Sequence, residues 1–487
     1  MNRRHYPRFA ICLFGLFVII LALGVAASAE WKETVLYSFQ GNPNDGAGPY
    51  AGVVFDKSGN LYGTTGWGGG TSCGGPGECG IVFQLQPPTQ KGGAWTENIL
   101  HTFKGEPYKD GDTPQGGLII DDDGNLYGTT AYGGAVPCQL LGGTVGCGTV
   151  FEMSPPTQQG GAWTYSILYS FHGHKDGHYP QGNLTFDKYG NLYGATQFGG
   201  GRGYDNCNKY YGYCGTIFEL SPPKQRGGDW TEKVLYKFKG ANNGQRFGDG
   251  ANPNGALIFN STGALYGTTY FGGNNQKGTC RSGQGGTGCG TVFKLTPPAK
   301  KGGAWSERIL YCFNATNGAS PTAGLIFDKS GNLYGTASAG ANEGNGVVFR
   351  LGKPSGDSHS WVETVLYRFQ DRADGAVPQA NFISDARGNL YSTVGAGHQT
   401  YGNIFEVKRS ARNGGAWDFT VLYSLTGPPD GANPVAGLVF DKFGNLYGTT
   451  LRGGTGTGPD CSHGCGTVFE VSPRSGGYTQ SPLPGVK

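Results

Sequence analysis

A single unit is written seven times along this chain. Its fourth copy reads Trp230-Thr-Glu-Lys-Val-Leu-Tyr-Lys-Phe238, Asp249-Gly-Ala-Asn-Pro253, Gly263-Ala-Leu-Tyr-Gly-Thr-Thr269 and Cys289-Gly-Thr-Val-Phe-Lys-Leu-Thr-Pro297. The copies open at Trp31, Trp95, Trp163, Trp230, Trp305, Trp361 and Trp417, so seven of the eight tryptophans mark one register. A repeat of this kind decides the architecture before any single motif is weighed, because each unit buries its apolar surface only against its neighbours.

Each unit holds four short runs rich in Val, Ile, Tyr, Phe and Thr, which in the first copy are Thr34 to Phe39, Gly52 to Asp56, Asn60 to Thr65 and Gly80 to Leu85. They are too short for helices and have strand composition. Between the second and third runs stands Asp-x-x-Gly-Asn (Asp56 to Asn60, Asp187 to Asn191, Asp328 to Asn332, Asp441 to Asn445), a tight hairpin turn that makes the flanking strands antiparallel. Seven four-stranded meanders, side by side and closed in a ring, make an all-β, seven-bladed β-propeller. The chain enters on an outer-strand run at Trp31 and leaves after the run ending at Pro473, so the N-terminal strand is expected to complete the last blade and remove free edges. The competing arrangement is an open solenoid, for which neither end offers a capping sequence.

The pattern P-x-x-G-L-I-F-D-x-x-G-N-L-Y-G-T-T, followed by G-G and C-G-T-V-F-E-L-S-P-P, resembles the GloVer (Gloeobacter/Verrucomicrobia-type) tandem repeat of exported bacterial proteins over Trp31 to Pro473. The inner half, Gly324 to Tyr334, is similar to NHL and gluconolactonase-like propeller repeats. The first resemblance implies an exported propeller and no transferable activity.

Residues 1–29 read as an export signal: Arg3, Arg4 and Arg8 precede the apolar stretch Phe9 to Ala27, and Ala27-Ser28-Ala29 offers a small-residue cleavage site. An uncleaved membrane anchor is the alternative, since the apolar stretch approaches a span in length. The propeller is then expected over 30–473, followed by a short polar tail at 474–487, in the periplasm or the medium, with no membrane span after cleavage and as a monomer. The net charge of +3 is spread over the repeats without a Lys/Arg run, which argues against a nucleic-acid partner.

Ten cysteines fall in pairs at one place in the repeat: Cys73/Cys79, Cys138/Cys147, Cys207/Cys214, Cys280/Cys289 and Cys461/Cys465. Local pairing in an exported chain points to five disulfides. Zinc is the rival, but unequal spacings without His partners suit it poorly. Cys312, left over in a strand run, is expected as a buried thiol.

Two loops converge on one face of such a propeller. The first carries [Asp/Asn]-Gly-x-x-Pro in all seven units, with Asp45, Asp110, Asp176, Asp249, Asp374 and Asp430, and Asn317 in the fifth. A ring of carboxylates around the channel would suit calcium or a polarised substrate; the plainer explanation is that Asp-Gly makes the turn and Pro stiffens it. The second loop holds the cysteine pairs and varies most among units, as recognition loops on a regular scaffold do. At its base stand Trp67, Tyr132, Phe198 and Phe271, replaced by Ala339, Ala396 and Arg452 in the other units. These rings suit the apolar faces of sugars, with Asp and Asn supplying hydrogen bonds; they would alternatively cover the blade ends. His172-Gly-His174-Lys-Asp176-Gly-His178 resembles the ligand run of metallo-β-lactamase-like hydrolases, with the spacing off by one. No Gly-x-Ser-x-Gly, His-Glu-x-x-His or phosphate loop is present.

The leading expectation is an exported noncatalytic binding or scaffold protein that holds a glycan or a protein. The alternatives are a lactonase, lyase or glycosidase with channel carboxylates and calcium, and a structural envelope component.

Overall fold

The computed structural model describes residues 31–70, 78–90, 92–105, 109–138, 145–158, 160–173, 175–201, 214–225, 227–240, 248–273, 288–300, 302–341, 344–355, 360–411, 415–459 and 461–473. The stretch 1–29 expected to be an export signal, the tail at 474–487, His174, Cys73, Cys207 and Cys280 lie outside them.

Seven antiparallel four-stranded sheets form the ring. In the second blade the strands run from the channel outward as Ile119–Ile120, Leu126–Thr130, Thr149–Ser154 and Thr164–Ser170. The seventh blade borrows its outer strand from the start of the chain: Trp31–Ser38 pairs with Thr467–Pro473, in a register running from Trp31 opposite Pro473 to Ser38 opposite Thr467. The propeller is therefore closed as its sequence implies, and the edge of the last blade is covered.

The second strand, Leu-Tyr-Gly-Thr-Thr, is buried along its whole length because sheets pack on both its faces. Its central glycine makes room for a ring. A Cβ on Gly128 would come within 2.6 Å of the Phe151 ring, and one on Gly448 within 2.7 Å of Phe469. Those phenylalanines, with Phe103, Phe171 and Phe313, are among the largest fully buried side chains. The Asp-x-x-Gly-Asn hairpin stores its own bonds: Asp56 Oδ1 accepts from the Ser58 and Asn60 backbone amides, and Oδ2 from the Asn60 amide and the Tyr62 hydroxyl.

What joins one blade to the next is a pair of motifs distant in sequence. The residue before the proline of [Asp/Asn]-Gly-x-x-Pro sits at positive φ in every unit, between 54° at Ser320 and 62° at Tyr179, with Gly48, Thr113, Asn252, Val377 and Asn433 between them. That conformation turns its N–H onto a carbonyl at the cystine position of the preceding unit: Thr113 donates to Cys79, Tyr179 to Cys147, Ser320 to Cys289, and Val377 to Asn345 where the cysteine is missing. The proline then rests on the glycine after that carbonyl. A Cβ on Gly148 would meet Pro180 Cδ at 2.6 Å, and one on Gly402 would meet Pro434 Cδ at 2.3 Å. A non-glycine residue at positive φ is costly, more so for the β-branched Val377 and Thr113; its presence at six of the seven positions, with Gly48 at the other, identifies a joint that the ring over-determines.

One expected result follows for Gly290, which has φ of 94° and whose added Cβ would lie 2.5 Å from Pro321 Cδ and 2.5 Å from the Thr269 carbonyl oxygen. Gly290→Ala should lower the stability by about 3 kcal/mol or more, read as the urea midpoint. An unchanged midpoint would mean the joint does not bear on stability.

Candidate functional site

The two loops on the cystine-bearing face pair directly with each other. Ala47 stands opposite Trp67, Asp112 opposite Tyr132, His178 opposite Phe198, Ala251 opposite Phe271, Ala319 opposite Ala339 and Ala432 opposite Arg452. Ala396, in the sixth unit, is exposed in a shorter turn.

Within that frame the aspartates are turn anchors. Asp45 accepts from the Gln40 and Gly46 amides at 2.7 and 2.6 Å and from the Tyr37 hydroxyl at 3.0 Å. Asp110 takes the Lys104 and Gly111 amides and His101. Asp176 takes the His172 amide and Tyr169, and Asp249 the Lys239 amide and Tyr236. Asp374 takes the Gln370 amide and Tyr367, and Asp430 the Thr426 and Gly431 amides and Tyr423. In the fifth unit Asn317 bonds Tyr311 through its side-chain amide. None of these residues lines the central channel, and among the described residues no group of three or more His, Cys, Asp or Glu is placed to hold a metal ion.

Behind the anchors a second carboxyl is packed at four joints, from the Trp-x-Glu that opens the outer strand. Burial, then the charge of Asp430, pushes Glu33 up to about 8. Burial and Asp249 do the same to Glu307, also to about 8, and burial and Asp176 raise Glu232 to about 7. Glu97 is raised by burial and by Asp45, whose own carboxyl burial also raises. Where the pattern breaks, the chemistry compensates. Tyr165 replaces the glutamate beside Asp110 and stacks on His101 at 3.9 Å; burial pushes the Asp110 carboxyl upward, but the His101 hydrogen bond and charge outweigh it and hold the carboxyl below its usual value. Phe419 replaces it beside Asp374 and stacks on Tyr367 at 3.8 Å.

The channel itself is a cavity of about 560 Å³ whose wall comes from the inner strands and the residues following each proline. Among the described residues its polar side chains are uncharged: Gln115, Gln181, Asn183, Asn254, Gln379 and Asn381, with Thr322 and Tyr50. Gln181 donates to Gln115, Asn183 accepts from the Gly117 amide and Asn381 from the Gly324 amide, so the carboxamides are held in place from blade to blade.

The aromatic positions gather at the channel mouth. Trp67 meets Tyr50 edge-on at 5.2 Å. Tyr132 meets Tyr179 at 4.9 Å, and Tyr179 lies 5.7 Å from Phe198. Burial raises the Tyr50 hydroxyl, nearby Tyr179 adds to it, and Arg452 opposes it. Three predicted rings and Arg452 are thus joined through Tyr50 and Tyr179, which sequence reasoning passed over. Both occupy variable positions of the proline turn, and their aromatic character there was the available signal. Phe271 packs instead against Tyr270 at 4.5 Å.

Cystines frame this face. Cys138–Cys147 and Cys461–Cys465 are disulfides with Cα atoms 4.9 and 4.8 Å apart. Cys79, Cys214 and Cys289 are also disulfide-bonded. Cys312, expected to be buried, is half-buried at the end of its strand. In the histidine run, His172 pairs with Asp176 at 3.0 Å while His178 is buried against Phe198, so the two described imidazoles are drawn to different partners.

No curated protein matches the chain. Solved structures similar to it include a Xanthomonas campestris gluconolactonase (15% identity, 75% of this chain and 91% of that one, TM-score 0.34). Others are a luciferin-regenerating enzyme (12%, 74% and 92%, 0.38) and a family PL25 ulvan lyase bound to a GlcA–Rha3S saccharide (11%, 90% and 95%, 0.44). At such identities and TM-scores these likenesses carry no argument about chemistry. The model of the Gloeobacter/Verrucomicrobia repeat matches residues 26–280 and 278–481, which together span the whole propeller, and the chain belongs to that repeat family.

Proposed function

We propose that the protein is an exported, noncatalytic binding propeller that recognises a neutral glycan on its cystine-bearing face. The observation that carries this reading is the union of an aromatic cluster, Tyr50, Trp67, Tyr132, Tyr179 and Phe198, with an adjoining channel whose described lining polar groups are all uncharged. Aromatic faces cover the C–H surfaces of sugar rings, and carboxamides both donate to and accept from vicinal hydroxyls without demanding a charge. Acid–base chemistry on a sugar needs a carboxyl, histidine or comparable proton carrier facing the substrate; among the described lining residues there is no carboxyl or histidine, and the phenol of Tyr50 is held in its neutral form by burial. The signal-like N-terminus and the cystines support export, and a single closed ring supports a monomer.

A glycan array probed with the mature chain tests this. Neutral oligosaccharides should bind, and Trp67→Ala and Tyr132→Ala should each weaken binding by about tenfold, on the order of 1–1.5 kcal/mol for a lost ring contact. Exclusive binding of sulfated or uronate-bearing chains would overturn the neutral assignment. A protein ligand captured with the same dependence on Trp67 would move the reading to a protein partner.

A further inference from the structure

At five of the seven joints the last apolar residue of an inner strand is a phenylalanine that meets a tyrosine of the preceding blade edge-on: Phe55 on Tyr447, Phe186 on Tyr127, Phe259 on Tyr193, Phe327 on Tyr266 and Phe440 on Tyr391. The ring centroids are 5.0 to 5.2 Å apart. The second blade has Ile120 there. The sixth has Ser384, opposite Tyr334, and so lacks the whole ring.

The neighbouring outer-strand tryptophan responds to the missing phenyl. Where the phenylalanine is present the tyrosine-to-tryptophan distance is 6.4 Å (Tyr127 to Trp230) or 6.5 Å (Tyr266 to Trp361). Without it the distance shrinks to 5.6 Å, both at Tyr62 to Trp163 and at Tyr334 to Trp417. That closure does not fill the gap at Ser384. A cleft of about 290 Å³ remains, walled by Tyr334, Trp417, Phe327 and Leu390 and edged by Lys329, Arg387 and Arg409. It opens beside the Asp-x-x-Gly-Asn hairpins, at the opposite end of the blades from the cystine loops.

We propose that this cleft binds a small aromatic carboxylate, whose ring takes the place that other blades fill with their own phenylalanine. The ring slot is defined by the fold itself: the same tyrosine edge receives a phenyl group five times elsewhere. The charge at the rim selects the acid. The Arg409 guanidinium lies 5.3 Å over the Trp417 ring, and Lys329 and Arg387 flank the opening. The two carboxylates present are already engaged: Asp328 accepts from the Ser330 and Asn332 amides and from Tyr334, and Asp385 from the Arg387 and Asn389 amides. Three cations thus face the opening with the local anions turned into the hairpins. Arginine presents parallel N–H donors to a carboxylate, which fixes the acid end while the ring is desolvated.

The test is calorimetric titration of the full mature chain with phenylacetate, its neutral isostere phenylacetamide, and glucose. Phenylacetate should bind at least tenfold more tightly than the amide, and glucose should give no heat. Ser384→Phe should abolish phenylacetate binding while raising the melting temperature, because it restores the repeat. Should that variant fail to fold, Arg409→Gln with Arg387→Gln, both at exposed positions, should remove the preference for the acid over the amide. Equal heats for acid and amide, phenylacetate binding retained in Ser384→Phe, or glucose binding in its place would each overturn the proposal. Because Trp67 lies at the other end of the blades, Trp67→Ala should leave phenylacetate binding unchanged, so this site and the glycan face fail independently.

Discussion

A chain that begins at Phe39, without the strand Trp31–Ser38, should not form a stable propeller. The deletion strips the outer strand from the seventh blade and leaves the edge of Thr467–Pro473 unpaired along its whole length. It also removes Trp31 from the cluster that holds Phe440 and Phe469, and Leu36 and Tyr37 from the cluster around Phe39 and Phe83. Two adjacent blades lose core at once. A single domain is stable by only about 5–15 kcal/mol, and burying a large apolar side chain contributes about 1.5–3 kcal/mol, so the loss of several such residues with a full hydrogen-bond ladder exceeds what the ring can absorb. The expected outcome is loss of the near-ultraviolet circular dichroism of the packed aromatics and aggregation through the exposed edge. A soluble truncated chain with the melting temperature of the intact protein would show that the strand is an accessory.

The second large effect is an unusual dependence of stability on pH. Glu33, Glu97, Glu232 and Glu307 all have folded-state values raised above the ordinary carboxyl value, by burial first and by the aspartate beside each one second. A carboxyl whose folded value is raised binds a proton more readily folded than unfolded. Its stabilising contribution is therefore complete below the unfolded value and is lost as pH rises through the folded one. For Glu33 and Glu307 the loss extends from about 4.5 to about 8, and for Glu232 to about 7. Because these side chains are only half-buried and partly screened, each pair is expected to cost about 1 kcal/mol over that window rather than the full shift. The opposite sign holds at Asp110 and Asp328, where lowered values make stability fall in strong acid. The melting temperature should therefore peak on the mildly acidic side, decline by several degrees toward about pH 9, and then level off. Glu307→Gln should flatten part of that decline. A melting temperature that rises between about pH 6 and pH 9 would contradict the packing of these pairs.

How much of this was legible in the sequence depends on whether a residue's partner lies in its own unit. The strands, the Asp56-to-Asn60 hairpin and the local pair Cys138/Cys147 are written within one copy, while the blade count is read from the seven copies of the Trp register and the closure from the outer-strand run with which the repeat array opens at Trp31. The joint was not legible. It brings Pro180 onto Gly148 and the Tyr179 amide onto the Cys147 carbonyl, and the sequence displays these as two unrelated motifs separated by two strands and their connections. The aspartates were legible as turn residues, while their glutamate partners come from the next blade: Asp249 from one unit meets Glu307 from another. Tyr50 and Tyr179 were missed for the same reason, since each gains its meaning from a ring in a different loop or blade. The Ser384 cleft is the converse case, in which a departure from the repeat is visible in the sequence but its consequence is set by Tyr334 and Trp417 across the joint.

The most direct test of the proposed glycan face uses the one tryptophan outside the repeat register. Seven tryptophans occupy equivalent outer-strand positions, whereas Trp67 sits beside Tyr50 at the channel mouth. Titrating the propeller, residues 30–487, with neutral oligosaccharides should change the intrinsic fluorescence saturably. That change should disappear in Trp67→Phe and persist in Trp417→Phe. A saturable signal that survives Trp67→Phe, or the absence of any saccharide response while the fold is intact, would contradict the account.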